Sequence, residues 1–205
     1  MNLKQFNELW PRIGGLFAII ITITVVLLWN SNSNISHLVL IYWFNLAILM
    51  FHEFEEYVYP GGFKEFANSK TVLSLPDPKQ GNTISDMLIV SINLGIWVFF
   101  IIGALLAKIV PWLGFGMIIF NFINILGHLI IFQKKVKGYN PGVITAIIMI
   151  PFLIWAIIII GDMNQFSSLD YVLSIIVGLI SGISLPIIGI IRRKKILRDL
   201  SQTGV

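Results

Sequence analysis

Six apolar runs, each about long enough to cross a bilayer, leave this 205-residue chain few ways to fold. They lie near 13–29, 38–57, 86–107, 110–132, 142–161 and 170–191, and a spanning helix needs roughly 20 apolar residues. Charged residues make up only 12% of the chain, against about 25% in soluble domains. A water-soluble fold cannot absorb that much apolar sequence behind so little polar surface. The expected architecture is therefore all-α: a polytopic membrane protein of six transmembrane helices, one bundle over residues 1–205. Lys108 and Pro111 mark a tight turn between the third and fourth runs. The one long connection, 58–85, reads as an ordinary cytoplasmic loop, with surface docking of its Phe63-Lys64-Glu65-Phe66 stretch as the alternative. The first run follows Lys4 and Arg12, and no small-x-small cleavage site appears in the Asn30 to Asn34 stretch after it, so it reads as a retained helix.

Basic residues set the orientation. With the N-terminus inside, Lys4 and Arg12, then Lys64, Lys70 and Lys79, then Lys134, Lys135 and Lys137 all fall on the cytoplasmic side. Arg192, Arg193, Lys194, Lys195 and Arg198 follow at the C-terminus, and of the 14 basic residues only Lys108 lies outside. The positive-inside rule then predicts both termini in the cytoplasm, and a plasma-membrane location. The net charge of +4 is thus explained by membrane edges and does not signal nucleic acid. The chain has no cysteine, which excludes disulfides, thiolate nucleophiles and cysteine metal sites. Gly95, Gly103, Gly114, Gly116, Gly178 and Gly182 read as helix-packing positions.

Given that orientation, the polar residues of four runs share one depth, near the cytoplasmic ends. His52, Glu55 and Glu56 stand at i, i+3 and i+4 and share a helix face, with Asn45 seven residues earlier on the same stripe. Glu53 lies about 100° away, given 3.6 residues per turn. Asn121, Asn124 and His128 form a second face, and Asp86 and Asn93 stand seven apart on the third run. Asn140-Pro141 reads as an N-cap followed by a proline at the first helical position. His37 lies at the opposite end of the second run and reads as a surface residue. Most tryptophans sit near run ends, as in an aromatic belt, and Pro151 and Pro186 fall inside helices.

Ionisable groups at membrane depth are costly, so they normally face the bundle interior and mark a site. Two histidines and glutamates suit a hard-to-borderline cation such as Zn²⁺, Fe²⁺ or Mn²⁺. His52, Glu56 and His128 are the expected ligands. Glu55 or Glu56 is the expected base for water, and Asn121 and Asn124 the expected donors to a developing oxyanion. The bland alternative is a His–Glu pair that neutralises itself where the chain leaves the bilayer.

The residues His52-Glu53-Phe54-Glu55-Glu56 carry a His-x-x-Glu-Glu signature and resemble the HXXEE family of small membrane proteins. The stretch from Asn121 to His128 and Tyr139-Asn140-Pro141-Gly142 resemble the same family, so the likeness covers roughly residues 40–160. It supports a site there and supplies no reaction. Glu55-Glu56 and His128 also resemble parts of the intramembrane CAAX-type proteases, but the arginine expected after the glutamates is missing and Pro60 follows instead. The expectation is a membrane-embedded, metal-dependent hydrolase or lipid-modifying enzyme, acting from the cytoplasmic side on a lipid or small polar substrate. The alternatives are a solute or cation carrier built on the same carboxylate–histidine site, and a structural partner of another membrane protein.

Overall fold

The computed structural model describes residues 2–31 and 34–203; Asn32 and Ser33, within the stretch read against a cleavage site, lie outside the described residues. The helices are α1 (Leu3–Trp29), α2 (His37–Tyr57), α3 (Phe63–Lys70), α4 (Asp86–Leu105), α5 (Pro111–Leu126), α6 (Val143–Asp162) and α7 (Ser168–Thr203). No strand occurs among the described residues. A π-helical turn, Gly127–Phe132, extends α5. With that turn counted, six helices are long and apolar enough to cross a membrane, and only α3 is not.

The outermost helices outrun their apolar runs. α1 starts at Leu3 because Asn2 caps it: the Asn2 side chain accepts from Gln5 N–H, and the Gln5 side chain accepts from Asn2 N–H. α7 continues as far as Thr203 through the basic tail, whose arginines, lysines and leucines favour helix. Pro151 and Pro186 lie inside α6 and α7 as expected, and Pro11 does the same in α1.

α2 is the most buried of the six spans and touches α1, α4, α5 and α6. Far from α3, its Leu38, Ile41 and Tyr42 pack with Phe115, Ile118, Met149 and Leu153. The Tyr42 hydroxyl donates to the Pro111 carbonyl at 2.7 Å, tying α2 to the start of α5. Halfway along, Leu46, Leu49 and Met50 meet Ala18, Ile96, Phe100 and Met117. Large apolar side chains left exposed, such as Leu16, Ile20, Ile148 and Ile180, lie on α1, α6 and α7, where they suit a hydrocarbon surround.

The 58–85 connection departs from the plain loop expected. Phe63, Ala67, Leu73 and Ile84 are buried against Trp10, Ile89 and Val90, closing one end of the bundle. The cause is a short amphipathic helix whose Phe63, Phe66 and Ala67 face inward. Polar pins hold it in place. Lys64 pairs with Asp86 at 2.7 Å, and Asn7 also donates to Asp86. The Asn68 amide donates to the Ile84 carbonyl and accepts from Ile84 N–H.

α5 and α7 pack at close range through glycines. A Cβ on Gly178 would stand 2.6 Å from Ile119 and 2.7 Å from the Gly116 carbonyl oxygen, so these glycines serve packing within the bundle. Gly178→Leu should lower the unfolding midpoint in detergent by an amount equivalent to about 1–3 kcal/mol of overpacking. The neighbouring, exposed Leu179→Ala should shift it far less. Equal shifts in the two variants would remove this packing account.

Candidate metal centre

The first run of polar residues and the last turn of α5 meet at the α3 end of the bundle. His128 Nε2 lies 3.2 Å from Glu56 Oε1, and His52 Nε2 lies 3.7 Å from the same oxygen. The two imidazoles pack edge to face with centroids 4.7 Å apart. All three side chains are buried, and one ligand atom from each lies within 4.8 Å of the others. Ligands about 2.1 Å from a common tetrahedral centre stand roughly 3.4 Å apart, so this group can hold a metal ion with little movement. His128 sits in the π-helical turn, a local widening of the helix that recurs at functional sites.

Two separate hydrogen-bond chains aim the rings. The Gly138 carbonyl can only accept, so it fixes the Gln133 amide, whose Nε2 donates to it. Gln133 Oε1 then accepts from Asn140 Nδ2, and Asn140 Oδ1 is left to accept from His128 Nδ1–H at 3.1 Å. On the other side Thr145 donates its hydroxyl proton to Glu55 Oε2. Thr145 Oγ1 can therefore only accept from His52 Nδ1–H, at 2.8 Å. In the neutral rings both protons are thus on Nδ1, and both Nε2 atoms, with lone pairs free, lie on the Glu56 side. Neither Nε2 has a hydrogen-bond partner among the described residues. Metal-binding histidines carry this kind of outer support, which fixes tautomer and direction.

Glu55, at the head of the second chain, is fully occupied. Its Oε1 accepts from the Tyr139 hydroxyl at 2.8 Å and from Ile144 N–H at 3.1 Å; its Oε2 accepts from Thr145 N–H at 2.6 Å and from the Thr145 hydroxyl. Burial first, and then the bond to Glu55, push the Tyr139 hydroxyl pKa up, so it remains a donor. The carboxylate of one helix thus caps the first turn of another, where free N–H groups and the positive end of the dipole favour an anion. The base expected at Glu55 has no unengaged oxygen here; what Glu55 does is position His52 through Thr145. Nor does Asn140 cap α6: the capping residue is Gly142, and Asn140 serves His128. Gly142 has φ +94°, and a Cβ there would come within 2.6 Å of His128 Cε1 and 2.7 Å of His52 Cε1. Both the backbone angle and the space between the rings require glycine.

The remaining expected residues divide. Asn124 lines a cavity beside His52 and Glu56. Asn121 does not line it; its amide donates to Asn45 Oδ1 at 2.8 Å, joining α2 to α5 further along the bundle. Asn93 donates to the Tyr57 hydroxyl at 3.3 Å and to the Ile89 carbonyl. His37 is exposed, as expected, and stacks on Trp29 with ring centroids 4.3 Å apart. Sequence reasoning set Glu53 aside, yet it is buried and accepts from Trp97 Nε1–H at 2.6 Å. Trp10 and Trp97 are packed against each other inside the bundle, not in an interfacial belt.

If Glu55 acts by position, Glu55→Gln should do more than slow a reaction. A glutamine must turn an N–H toward donors that now meet a carboxylate, which costs about 1–3 kcal/mol per unsatisfied buried group. Thermal unfolding should show that loss, and cation affinity should fall about 10–100-fold with it, as for other supporting residues of metal sites. An unchanged melting curve and unchanged affinity would return Glu55 to the role of a free base.

No curated protein and no solved structure matches the chain significantly. A family model described as "Protein of unknown function with HXXEE motif" matches residues 43–156. That match runs from α2 to α6 and contains His52, Glu55, Glu56, His128, Asn140 and Thr145, the residues that build and aim the buried cluster. On this ground the chain belongs to the HXXEE family.

Proposed function

We propose that the chain is a membrane-embedded, metal-dependent hydrolase, with one divalent cation held by His52, Glu56 and His128. The observation that carries this reading is the pair of unpartnered Nε2 atoms, 3.2 Å and 3.7 Å from one carboxylate oxygen, beside a cavity. A self-neutralising His–Glu pair needs only one histidine and gains nothing from two separately supported rings. Three protein ligands leave a position for substrate or water, the arrangement of catalytic rather than structural zinc sites. The cation supplies Lewis acidity and a lowered pKa for water. The chain's own residues supply the rest. His52 and His128 are held in one tautomer by Thr145 and Asn140. Glu56 is the carboxylate at the reacting centre, and Asn124, on the cavity wall, is the amide available to an oxyanion. Zn, Fe and Mn all fit this donor set.

Elemental analysis of protein purified without chelator should find about one equivalent of Zn, Fe or Mn per chain, the stoichiometry of a three-ligand mononuclear site. His52→Ala and His128→Ala should each lose it. Absence of metal from the wild-type protein, even after incubation with each ion, would remove the metal from this proposal.

The site is also proposed to face the cytoplasm, on the strength of the basic residues clustered at the α3 end and at the end of α7. A chain with no cysteine makes this directly measurable. In inside-out vesicles an impermeant maleimide should label Lys137→Cys and spare Lys108→Cys. The reverse pattern would invert the orientation.

A further inference from the structure

His52 and Glu56 of the His–Glu–His group form part of the wall of a cavity of about 340 Å³. α2 brings His52, Glu53 and Glu56 to it. Apolar side chains from α4, α5 and α7, among them Ile92, Phe120, Ile123 and Ile183, line it together with α3 and the stretch that follows it, through Phe63 and Leu73. Three features define what fits. First, the volume is that of roughly eleven waters at ~30 Å³ each, room for one short hydrocarbon chain and not two. Second, the lining residues with the most exposed surface are apolar: Val72 at 61%, Ile131 at 58% and Ile183 at 41%. The rim therefore suits a ligand arriving from hydrocarbon. Third, the lining holds two carboxylates, Glu53 and Glu56, and no lysine or arginine. No cationic side chain is there to receive an anionic head such as a phosphate.

Glu53 adds the specific contact. It is 1% exposed. Its Oε2 is held by Trp97 Nε1–H at 2.6 Å, and Trp97 is in turn packed edge-on against Trp10 at 5.6 Å. The other oxygen, Oε1, has no partner among the described residues. A rigidly oriented, buried acceptor left open beside a cavity is costly unless a ligand satisfies it. The metal centre does not use it, and in the His-x-x-Glu-Glu signature it occupies a variable position.

We propose that this cavity binds a single-chain amphiphile with an uncharged head, and that Glu53 Oε1 accepts a hydrogen bond from a hydroxyl or amide N–H of that head. The identity of the bond cut rests on the hydrolase reading above; binding does not. In hydrolysis the water oxygen bonds to the acyl carbon, the adjoining C–N or C–O bond breaks, and the water's proton leaves with the amine or alcohol. The products are a fatty acid and the released head.

Photolabelling of the full chain in lipid nanodiscs tests this with two probes carrying the same mid-chain diazirine: N-dodecanoylethanolamine, which has donors, and methyl dodecanoate, which has none. The ethanolamide should label cavity residues of α4, α5 and α7, and the ester about tenfold less, the value of about one hydrogen bond. Glu53→Gln should bring the ethanolamide down to the ester level, and Ser181→Phe, on the cavity wall, should suppress cavity labelling by both. Equal labelling by the two probes in the wild-type protein, or labelling spread over lipid-facing positions of every helix, overturns the proposal without recourse to any variant. Metal content is measured on the same samples. Cavity labelling with no bound metal overturns the metal-dependent part of the hydrolase reading and leaves the cavity assignment, whereas bound metal without cavity labelling overturns the assignment alone.

Discussion

The Glu55 carboxylate at the start of α6 is the contact on which the site depends. A helix that begins inside a bundle brings free N–H groups with it, and at membrane depth water is not there to meet them. Here the neighbouring helix supplies an anion, and its two oxygens take the N–H groups of Ile144 and Thr145 together with two hydroxyls. Seating α6 in this way delivers three further things at no extra backbone cost. It brings Thr145 to His52, Asn140 to His128, and a residue without a side chain between the two rings. The cap and the cluster are one structure, and a change to the cap is a change to the cluster.

The two supporting chains start from different parts of the backbone and end alike. One is anchored on the Gly138 carbonyl, the other on the first turn of α6. Each passes its direction through groups whose donor and acceptor ends cannot be exchanged without opposing like against like. The outcome in both is a proton on Nδ1 and a free Nε2. His128 Nε2 and Glu56 Oε1 are only 3.2 Å apart and still not in hydrogen-bond alignment. Two Nε2 atoms gathered round one carboxylate oxygen without bonding to it describe a ligand set better than a salt bridge.

Much of this was legible in the sequence because depth and helical face are periodic properties. Runs of about 20 apolar residues located the spans, and spacings of three, four and seven put His52, Glu56, Asn124 and His128 on faces that do meet. What was not legible concerns neighbours. A face angle says where a side chain leaves its own helix and not what stands opposite, so Asn121 was grouped with His128 although its partner is Asn45. The 100° offset of Glu53 looked like an escape from the site. α2 is packed on several sides, so an offset residue there is still inside the bundle. Asn140 read as a helix cap, and its service to His128, like the place of Gly142 between the imidazoles, depends on a tertiary contact that no local pattern encodes. The turn of α3 onto the bundle was visible in its two phenylalanines, but they are too few to outweigh the polar residues around them.

Charge balance gives the cluster its last constraint. Glu53 and Glu56 are both buried, one turn apart on a single helix, and the only ion pairs of either among the described residues are those of Glu56 with His52 and His128. Every lysine and arginine of the chain lies outside the apolar runs as read from the sequence. Two carboxylates at such depth repel each other and lack a fixed countercharge, an arrangement that burial alone would penalise. If the two histidines are neutral, as their shared tautomer allows, the negative charge is met by a proton on a carboxyl or by a bound cation. A divalent cation between His52, Glu56 and His128 meets it directly, and it also gives the neighbouring Glu53 a reason to be kept so close without an arginine of its own.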